Sequence, residues 1–386
     1  MKSAHRRLVA MIIIVSVLPG LGGCGRTLNN YREVEQLLVI QTMGIDRKSG
    51  GTLLSLASAA EGAPDGSPRR LSASGDCVST ALKRIYELSY EEELFCYHIS
   101  SILIGEEAAE AGIEEYLSFI CRSPYMRIKS PIFVLRDGTA EEAVMEAGDG
   151  GKGISEIMQS VRQRLLRRGA GSLTDSARII SELRRYGSTL VCALELSDAA
   201  ESLDGEEKSG QTAMVSGYAV IREGRLCRYI EAEDAVAVDL LLNHVDESEL
   251  QIRDRQERRI VLELFDGGSE IIPVWSAPGA LQGLDVRVHV SASVLEATGA
   301  ETLEDAEYLD QLTAALEESI SRKLSKVLQG CGELRSDYLG LAGRVEQASP
   351  RYFRMMSGDF PDALPLLELQ ISVSGEIVHT NDLKEA

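Results

Sequence analysis

The 386-residue sequence contains few of the residue types that enzymes and ligand-binding proteins rely on. Aromatic residues make up 5% of the chain, and tryptophan occurs once, as Trp275. Beyond the N-terminal region the histidines are far apart, and none belongs to an H-E-x-x-H or H-x-x-x-H arrangement. We therefore predict no metal site and expect a hydrogen-bonded or surface role for each of them: His98, His244, His289 and His379.

Recognisable catalytic and cofactor motifs are missing as well. No Gly-x-Ser-x-Gly nucleophile elbow is present. The glycine-rich stretch GDGGKG at 148–153 does not match a phosphate-binding loop, because Lys152 is followed by glycine and the spacing is wrong. The stretch EAEDAVAVDLLLN lacks the alternating oxygen ligands and central glycine of a calcium loop. We predict that the chain is not an enzyme, has no catalytic residues and needs no cofactor, and that 148–153 is a flexible connector.

Positive charge and paired cysteines are also scarce. The formal net charge is −20, which disfavours binding to nucleic acid. Six cysteines beyond the N-terminal region show no C-x-x-C motif and no regular spacing: Cys77, Cys96, Cys121, Cys192, Cys227 and Cys331. An exported chain with an even number of cysteines permits disulfide bonds. We favour the simpler interpretation that these cysteines are small, buried hydrophobic residues.

The N-terminus has the organisation of an export signal. Lys2, Arg6 and Arg7 precede an apolar run over 8–18. A helix of that length spans roughly 16 Å, whereas a bilayer core of about 30 Å needs roughly 20 apolar residues. The run is therefore too short for a stable membrane span and fits a secretory signal. No later stretch is long and apolar enough to be a candidate membrane span.

The signal ends in a pattern that points to lipid attachment. Leu21-Gly22-Gly23-Cys24 places leucine three residues before a cysteine and glycine directly before it, which is typical of a bacterial lipobox. We predict that 1–23 is a lipoprotein signal peptide and that the Cys24 thiol carries a diacylglyceryl group. The alternative is an ordinary signal that happens to contain a cysteine. Because the rest of the chain is so acidic, we expect the lipid alone to hold the protein on the membrane.

Hydrophobic periodicity divides the remaining chain into two regions. Over 24–200 strand patterns alternate with helical ones, which predicts an α/β region with room for two subdomains. Strands are expected from Leu37 and over 53–59, with an exposed loop over 60–75 and helices over 78–88, 113–119, 140–147 and 172–186. The charged stretch 198–210 marks the predicted domain boundary.

The C-terminal region, 211–386, is predicted to be an α+β domain. A hairpin is expected around 222–225, a helix over 235–242 and a second hairpin turning at Asp266-Gly267-Gly268. Apolar residues recur every three or four positions over 303–329, which predicts a helix starting after Thr302 and stopping at Gly330. The fold class is therefore α+β and multidomain, with mixed sheets and helices, and a C-terminal antiparallel sheet packed on one long helix.

Five segments in this order resemble the Ger(x)C family, the lipoprotein C subunits of spore nutrient-germinant receptors. They are YREVEQLLVIQTMGID, LFCYHISSILIGEEAAEAGIEEYLSFICRSPYMRIKSPIFVLRDGTAEEAV, VSGYAVIREGRLCRYIEAEDAVAVDLLLN, SDYLGLAGRVEQASPRYF and LELQISVSGEI. Gly25-Arg26 replaces the Trp-Asp pair that many members have after the lipid-bearing cysteine.

The resemblance implies a non-enzymatic subunit that triggers spore germination. Its partners would be two integral membrane subunits, one transporter-like and one a multi-span protein, and it would sit on the outer face of the cytoplasmic (spore inner) membrane. Two alternatives stay open on the residues alone. One is a substrate-binding lipoprotein of a transporter, which needs a ligand cleft between lobes. The other is an envelope hydrolase, which needs a nucleophile–base pair or a metal triad.

Overall fold

The structure is a computed structural model that describes nine stretches of the chain. They are residues 37–59, 68–89, 93–149, 152–168, 173–198, 211–245, 247–297, 306–356 and 358–378. Cys24, Thr302 and His379, which the sequence analysis singled out, lie outside the described residues.

A ten-stranded mixed sheet forms the first half of the molecule. Its strands are β1 (Leu37–Lys48), β2 (Gly51–Ser58), β3 (Arg70–Gly75), β4 (Glu93–Phe95), β5 (Ser101–Ile104), β6 (Pro131–Leu135), β9 (Thr174–Asp175), β10 (Ser188–Asp198), β11 (Gln211–Arg222) and β12 (Arg225–Glu231). The main order is β12-β11-β10-β6-β5-β1-β2-β3, with β4 beside β1 and β9 beside β6. The central strands β1, β5, β6 and β10 are parallel, and β4 is parallel to β1.

Six helices cover the two faces of this sheet. They are α1 (Val78–Leu88), α2 (Glu106–Ala111), α3 (Glu114–Arg122), α4 (Ala140–Glu146), α5 (Ile154–Arg168) and α6 (Ser176–Tyr186). Alternate residues of β6 enter different cores, as strand geometry requires. Ile132 and Val134 contact the core under α1, α2, α3 and α6, while Phe133 and Leu135 contact the core under α4 and α5. The central strands are thus buried on both faces, which explains their continuous apolar runs.

A four-stranded sheet and one long helix form the second half. The strands are β13 (Ser248–Arg253), β14 (Arg259–Ala277), β15 (Ala280–Ala297) and β16 (Glu368–Val378), in the order β13-β14-β15-β16. Helix α8 (Ala306–Leu334) is about 43 Å long at 1.5 Å per residue. It buries one stripe against the sheet: Tyr308, Leu312, Leu316, Ile320, Leu324, Val327, Leu328 and Cys331.

The smaller elements join the two halves or close their ends. They are the strand pair β7 (Gly148–Asp149) and β8 (Lys152–Gly153), and the helices α7 (Ala232–Leu242), α9 (Leu341–Ala348), α10 (Pro350–Phe353) and α11 (Phe360–Ala363), with 3₁₀ turns at Cys96–His98 and Leu364–Leu366. Helix α7 is buried over most of its length, and its core includes Tyr218 and Val220 of the first sheet. No helix in the described stretches is long and apolar enough to cross a membrane.

Most predicted elements are confirmed, with helix bounds shifted by a few residues. The predicted fold class is confirmed as well: the protein is α+β, with two mixed sheets and the long helix on the C-terminal sheet. That sheet departs in one detail from an antiparallel one, because β16 runs parallel to β15. The division at 198–210 stays a prediction, and the first sheet continues across it, because β11 pairs with β10 along its length.

Two local predictions in the first half are wrong, and one helix was not predicted. Part of the predicted loop over 60–75 is strand β3, which pairs with β2 in register. The segment 148–153 contributes the short paired strands β7 and β8 instead of an unstructured connector. Helix α5 was not predicted, although its buried residues recur every three or four positions in the stretch ISEIMQSVRQRLLRR.

Two glycine signals in the second half were misinterpreted. Strand β14 runs through Gly267 and Gly268 without turning, and its hairpin lies at 278–279. A Cβ atom on Gly267 would lie 2.7 Å from Leu240 Cδ2, so this glycine allows α7 to pack on the strand. Helix α8 continues past Gly330, where a Cβ atom would lie 2.6 Å from the Tyr338 hydroxyl oxygen. Both glycines serve close packing and neither ends an element.

Candidate functional site

The histidines do not form a site in the part of the chain that is described. His98 lies in the 3₁₀ turn before β5, His244 follows α7, and His289 is in β15. Within the described stretches no three His, Cys, Asp or Glu side chains come together in a way that could hold a metal ion.

All six cysteines beyond the N-terminal region are free thiols in the structure. Cys96, Cys192 and Cys331 are buried, as the hydrophobic interpretation expects. Burial raises the pKa of the Cys96 thiol to about 11, so this thiol is unreactive. Cys77 and Cys121 are half-buried, and Cys227 is exposed.

Three of the five segments that resemble the Ger(x)C family converge at one edge of the first sheet. Strands β1, β5 and β6 are parallel neighbours, so the residues that follow them meet where the strands end. In open α/β sheets this edge is where ligand sites form. We call this place the carboxyl edge and define it by Asp46, Glu106, Arg136, Tyr229 and Glu231.

Asp46 is a buried carboxylate that holds the start of helix α4. Its Oδ1 accepts a hydrogen bond from the Ala140 backbone N–H at 2.8 Å, and its Oδ2 accepts one from the Glu141 N–H at 2.6 Å. Burial raises the pKa of Asp46, and these two N–H groups oppose the rise. Gly105 follows β5 at this point, because a Cβ atom there would collide with the Asp46 carboxylate. Asp46, at the end of the family-like stretch YREVEQLLVIQTMGID, therefore caps a helix 94 residues further along the chain.

Arg136, directly after β6, and Glu231, the last residue of β12, form a bidentate ion pair at the carboxyl edge. The two guanidinium–carboxylate distances are 2.7 and 3.1 Å. The hydrogen bond from Arg136 lowers the pKa of the Glu231 carboxyl and raises the pKa of the guanidinium. The Arg136 guanidinium also lies 4.9 Å from the ring centre of Tyr229, within cation–π range. This pair connects the end of β6 to the start of α7.

A second polar contact closes the edge beside this pair. The Glu106 carboxylate accepts a hydrogen bond from the Asp137 backbone N–H at 2.7 Å, and the Glu106 N–H donates to the Gly138 carbonyl at 3.3 Å. Asp137 adopts a left-handed backbone conformation, with φ of 52°. The Asp137 side chain is 88% exposed, and its carboxylate lies 3.8 Å from the Arg136 Nε, so the outer rim of the carboxyl edge carries an exposed ion pair.

The family-like segment SDYLGLAG builds a matching cap in the second half. The Asp337 carboxylate accepts hydrogen bonds from the N–H groups of Leu341 at 2.7 Å and Ala342 at 2.9 Å, at the start of α9. Burial raises the pKa of Asp337 to about 6, although the nearby backbone N–H groups lower it. Gly340 has φ of 67°, which favours glycine. The Tyr338 hydroxyl donates to the Val327 carbonyl at 2.7 Å and fixes the turn to α8.

These carboxylates position the backbone at helix starts and strand ends. Asp46 and Asp337 each accept two helix N–H groups, and Glu231 is held by an arginine. Such an arrangement stabilises helix starts and strand ends, because it satisfies N–H groups that would otherwise be buried without partners. None of these residues was predicted to be part of a site, although the stretches that contain them are among the family-like segments. For Asp46 and Arg136 the signal was a polar residue directly after an apolar run, as in GID and LRDG.

Two concave surfaces adjoin the sheet. A polar cavity of about 240 Å³ lies between the halves, lined by residues that include Arg178, Glu182, Tyr186 and Arg344. An apolar groove of about 550 Å³ runs between α1 and α3, lined by residues that include Leu82, Tyr86, Phe119 and Tyr125.

Comparison with known proteins agrees with this architecture. Residues 30–192 match the family model of the spore germination protein N-terminal domain, and residues 216–381 match the model described as spore germination B3/GerAC like, C-terminal. No curated protein gives a significant sequence match. The crystal structure of the GerBC protein is similar in fold, with a TM-score of 0.57 at 16% identity, covering 90% of this chain and 100% of that chain. The two family models cover both halves in the expected order, and the chain therefore belongs to the Ger(x)C family of spore germination proteins and is like the C subunit of a germinant receptor.

Proposed function

We propose that this protein is a non-enzymatic subunit of a spore nutrient-germinant receptor, held by a diacylglyceryl group on Cys24 at the outer face of the spore inner membrane. The observation that carries the proposal is the order of the segments: a lipobox, followed by both family-model matches over 30–192 and 216–381. The capped helix starts and the paired charges of the carboxyl edge support a rigid, non-catalytic body.

Replacement of Cys24 by Ala tests the anchor. The expected result is that the variant leaves the spore membrane fraction and that germination falls to the rate of spores lacking the protein. The control is Cys227→Ala, which removes an exposed thiol from the folded body and is expected to change neither result. A Cys24→Ala protein that stays in the membrane fraction with normal germination would contradict the anchor.

We further propose that the body assembles with two integral membrane subunits, one transporter-like and one multi-span. The expected result of affinity purification from spore membranes is that both subunits are recovered with the tagged protein. Calorimetry of the purified protein with amino acids and sugars separates this role from that of a substrate-binding lipoprotein. We expect no binding heat, and saturable heat would favour the transporter role instead.

A further inference from the structure

Large exposed hydrophobic side chains are concentrated in one part of the first half. Five of the twelve in the described stretches come from residues 86–128. They are Tyr86 at 38%, Leu88 at 65%, Tyr97 at 52%, Tyr125 at 64% and Ile128 at 43% of full exposure. Single exposed apolar residues need no explanation, but a contiguous group marks a contact surface.

The sheet topology brings these five residues to one edge. Tyr86 and Leu88 end α1 before β4, Tyr97 precedes β5, and Tyr125 and Ile128 precede β6. Because β4 and β5 are parallel to β1, and β6 is parallel to β5, the segments before these strands meet at the amino edge of the sheet. We call the five residues the amino-edge patch. This edge is opposite to the carboxyl edge with its paired charges.

Specific contacts hold the patch together. The Tyr86 hydroxyl donates to the Leu94 carbonyl at 3.4 Å, and Tyr86 and Tyr125 line the same apolar groove. The Ser130 hydroxyl donates to the Ile99 carbonyl at 2.5 Å, which ties the loop before β6 to the turn that carries Tyr97. The patch is therefore presented by fixed backbone on neighbouring segments.

The loop over 122–130 combines apolar and basic side chains. Tyr125 and Ile128 are flanked by exposed Arg122, Arg127 and Lys129, while Met126 is buried and anchors the loop. Tyrosine favours the headgroup level of a bilayer, and arginine and lysine favour its phosphates. Positions 91–93 are glutamates, so the basic residues of the loop are offset by nearby acidic ones. The case for a membrane contact therefore rests on the exposed apolar side chains and not on net charge.

The chain that leads from Cys24 ends beside this patch. Residue Leu37, the first of β1, pairs with Glu93 of β4, whose next residue receives the Tyr86 hydrogen bond. Residues 25–36 span at most about 40 Å when fully extended. A lipid on Cys24 thus keeps the amino edge within about 40 Å of the bilayer surface, with the carboxyl edge on the far side of the sheet.

We propose that the amino-edge patch lies on the lipid bilayer, as a second membrane contact beside the lipid on Cys24. This inference rests on the proposed anchor. It changes the expectation that the lipid alone holds the protein, because the patch fixes the orientation of the body. The carboxyl edge then faces away from the membrane.

Fluorescence quenching in vesicles tests the contact. The mature lipoprotein is reconstituted into phosphatidylcholine–phosphatidylglycerol vesicles whose acyl chains carry bromine near the headgroups. Because Trp275 is the only tryptophan, Trp275→Phe gives a background for Tyr97→Trp or Tyr125→Trp. The matched control is Met214→Trp, because Met214 is 47% exposed. Met214 pairs with Glu195 of β10, which lies just past the C-terminal end of β6 and therefore on the side of the sheet away from the amino-edge patch.

We expect roughly twofold quenching at positions 97 and 125 and little at 214, because brominated chains quench only nearby indoles at the interface. If the protein floats with the vesicles but positions 97 and 125 are not quenched, the patch proposal is overturned while the anchor stands, and the patch is left for a protein partner. Equal quenching at all three positions would also overturn it. A protein that fails to float overturns the anchor together with the patch contact.

Discussion

Asp337 gives a stability prediction whose magnitude depends on pH. Its carboxylate is 1% exposed and accepts two backbone N–H groups at the start of α9. The ordinary carboxyl pKa is 3.8, and burial raises the pKa of Asp337 to about 6 in the folded protein. The folded state therefore binds this proton more tightly than the unfolded state does. The resulting stability is present below the unfolded pKa and is lost as pH rises through the folded pKa.

The size of this effect follows from the two pKa values. A shift of roughly two units corresponds to about 3 kcal/mol at about 1.4 kcal/mol per unit. About half of that free energy is gained when the pH falls from 7.5 to 5. Asp337→Asn cannot titrate. The difference in unfolding free energy between wild type and this variant should therefore shift toward the wild type by about 1–2 kcal/mol over that range.

Urea unfolding of both proteins at pH 7.5, 6 and 5 measures the shift, and differences common to other carboxylates cancel between them. Asp362→Asn is the control, because Asp362 is an exposed carboxylate in the same half, with 69% of its side chain exposed. Equal pH-dependent differences for the two variants would show that the burial of Asp337 is not the cause. A difference for Asp337→Asn that stays constant, or that moves toward the variant at low pH, would refute the buried-cap interpretation.

Three further substitutions test the contacts that hold the sheet and its helices. Gly105→Ala places a Cβ atom against the Asp46 carboxylate, and the disturbed α4 cap should cost about 2 kcal/mol in urea unfolding. Arg136→Ala removes the bidentate pair with Glu231, and since both side chains are partly exposed the loss should be about 1 kcal/mol and smaller in high salt. Gly267→Ala puts a Cβ atom 2.7 Å from a Leu240 methyl group and should cost about 1–3 kcal/mol in thermal unfolding.

Gly138 offers a common control for the two glycine-to-alanine substitutions, Gly105→Ala and Gly267→Ala. A Cβ atom on Gly138 would meet only the Arg136 carbonyl oxygen, at 3.6 Å, so Gly138→Ala should change stability by less than about 0.5 kcal/mol. Equal losses at Gly138, Gly105 and Gly267 would mean that close approach is not the cause. For Arg136, a double-mutant cycle with Glu231→Gln should give a coupling of about 1 kcal/mol, and zero coupling would show that the pair is not stabilising.

The two edges of the first sheet divide the molecule's surface chemistry. The carboxyl edge carries charged groups that are satisfied by backbone N–H groups or by each other, with Asp137 exposed on its rim. The amino edge carries exposed tyrosines beside the point where the chain from Cys24 joins β1. A membrane at the amino edge would leave the carboxyl edge and the second half free for other contacts.

Local sequence patterns were sufficient wherever an element's own residues carry the information. The apolar run at Leu37 predicted β1, and the spacing over 303–329 predicted most of α8. Helix α5 was missed although its buried residues recur every three or four positions. The candidate site was not predicted, because Asp46 and Ala140 are 94 residues apart and no local pattern connects them.

By itself, the sequence predicted an export signal and a lipobox at Cys24, which stay predictions, and it determined the order of most strands and helices and the α+β class. Each of these depends on residues that are close together in the chain. Only the tertiary structure decided that β11 joins the first sheet and that β16 runs parallel to β15. It also showed that Gly267 and Gly330 serve close packing. Strand partners and steric contacts of this kind depend on segments far apart in sequence, and they are fixed only when the whole core packs.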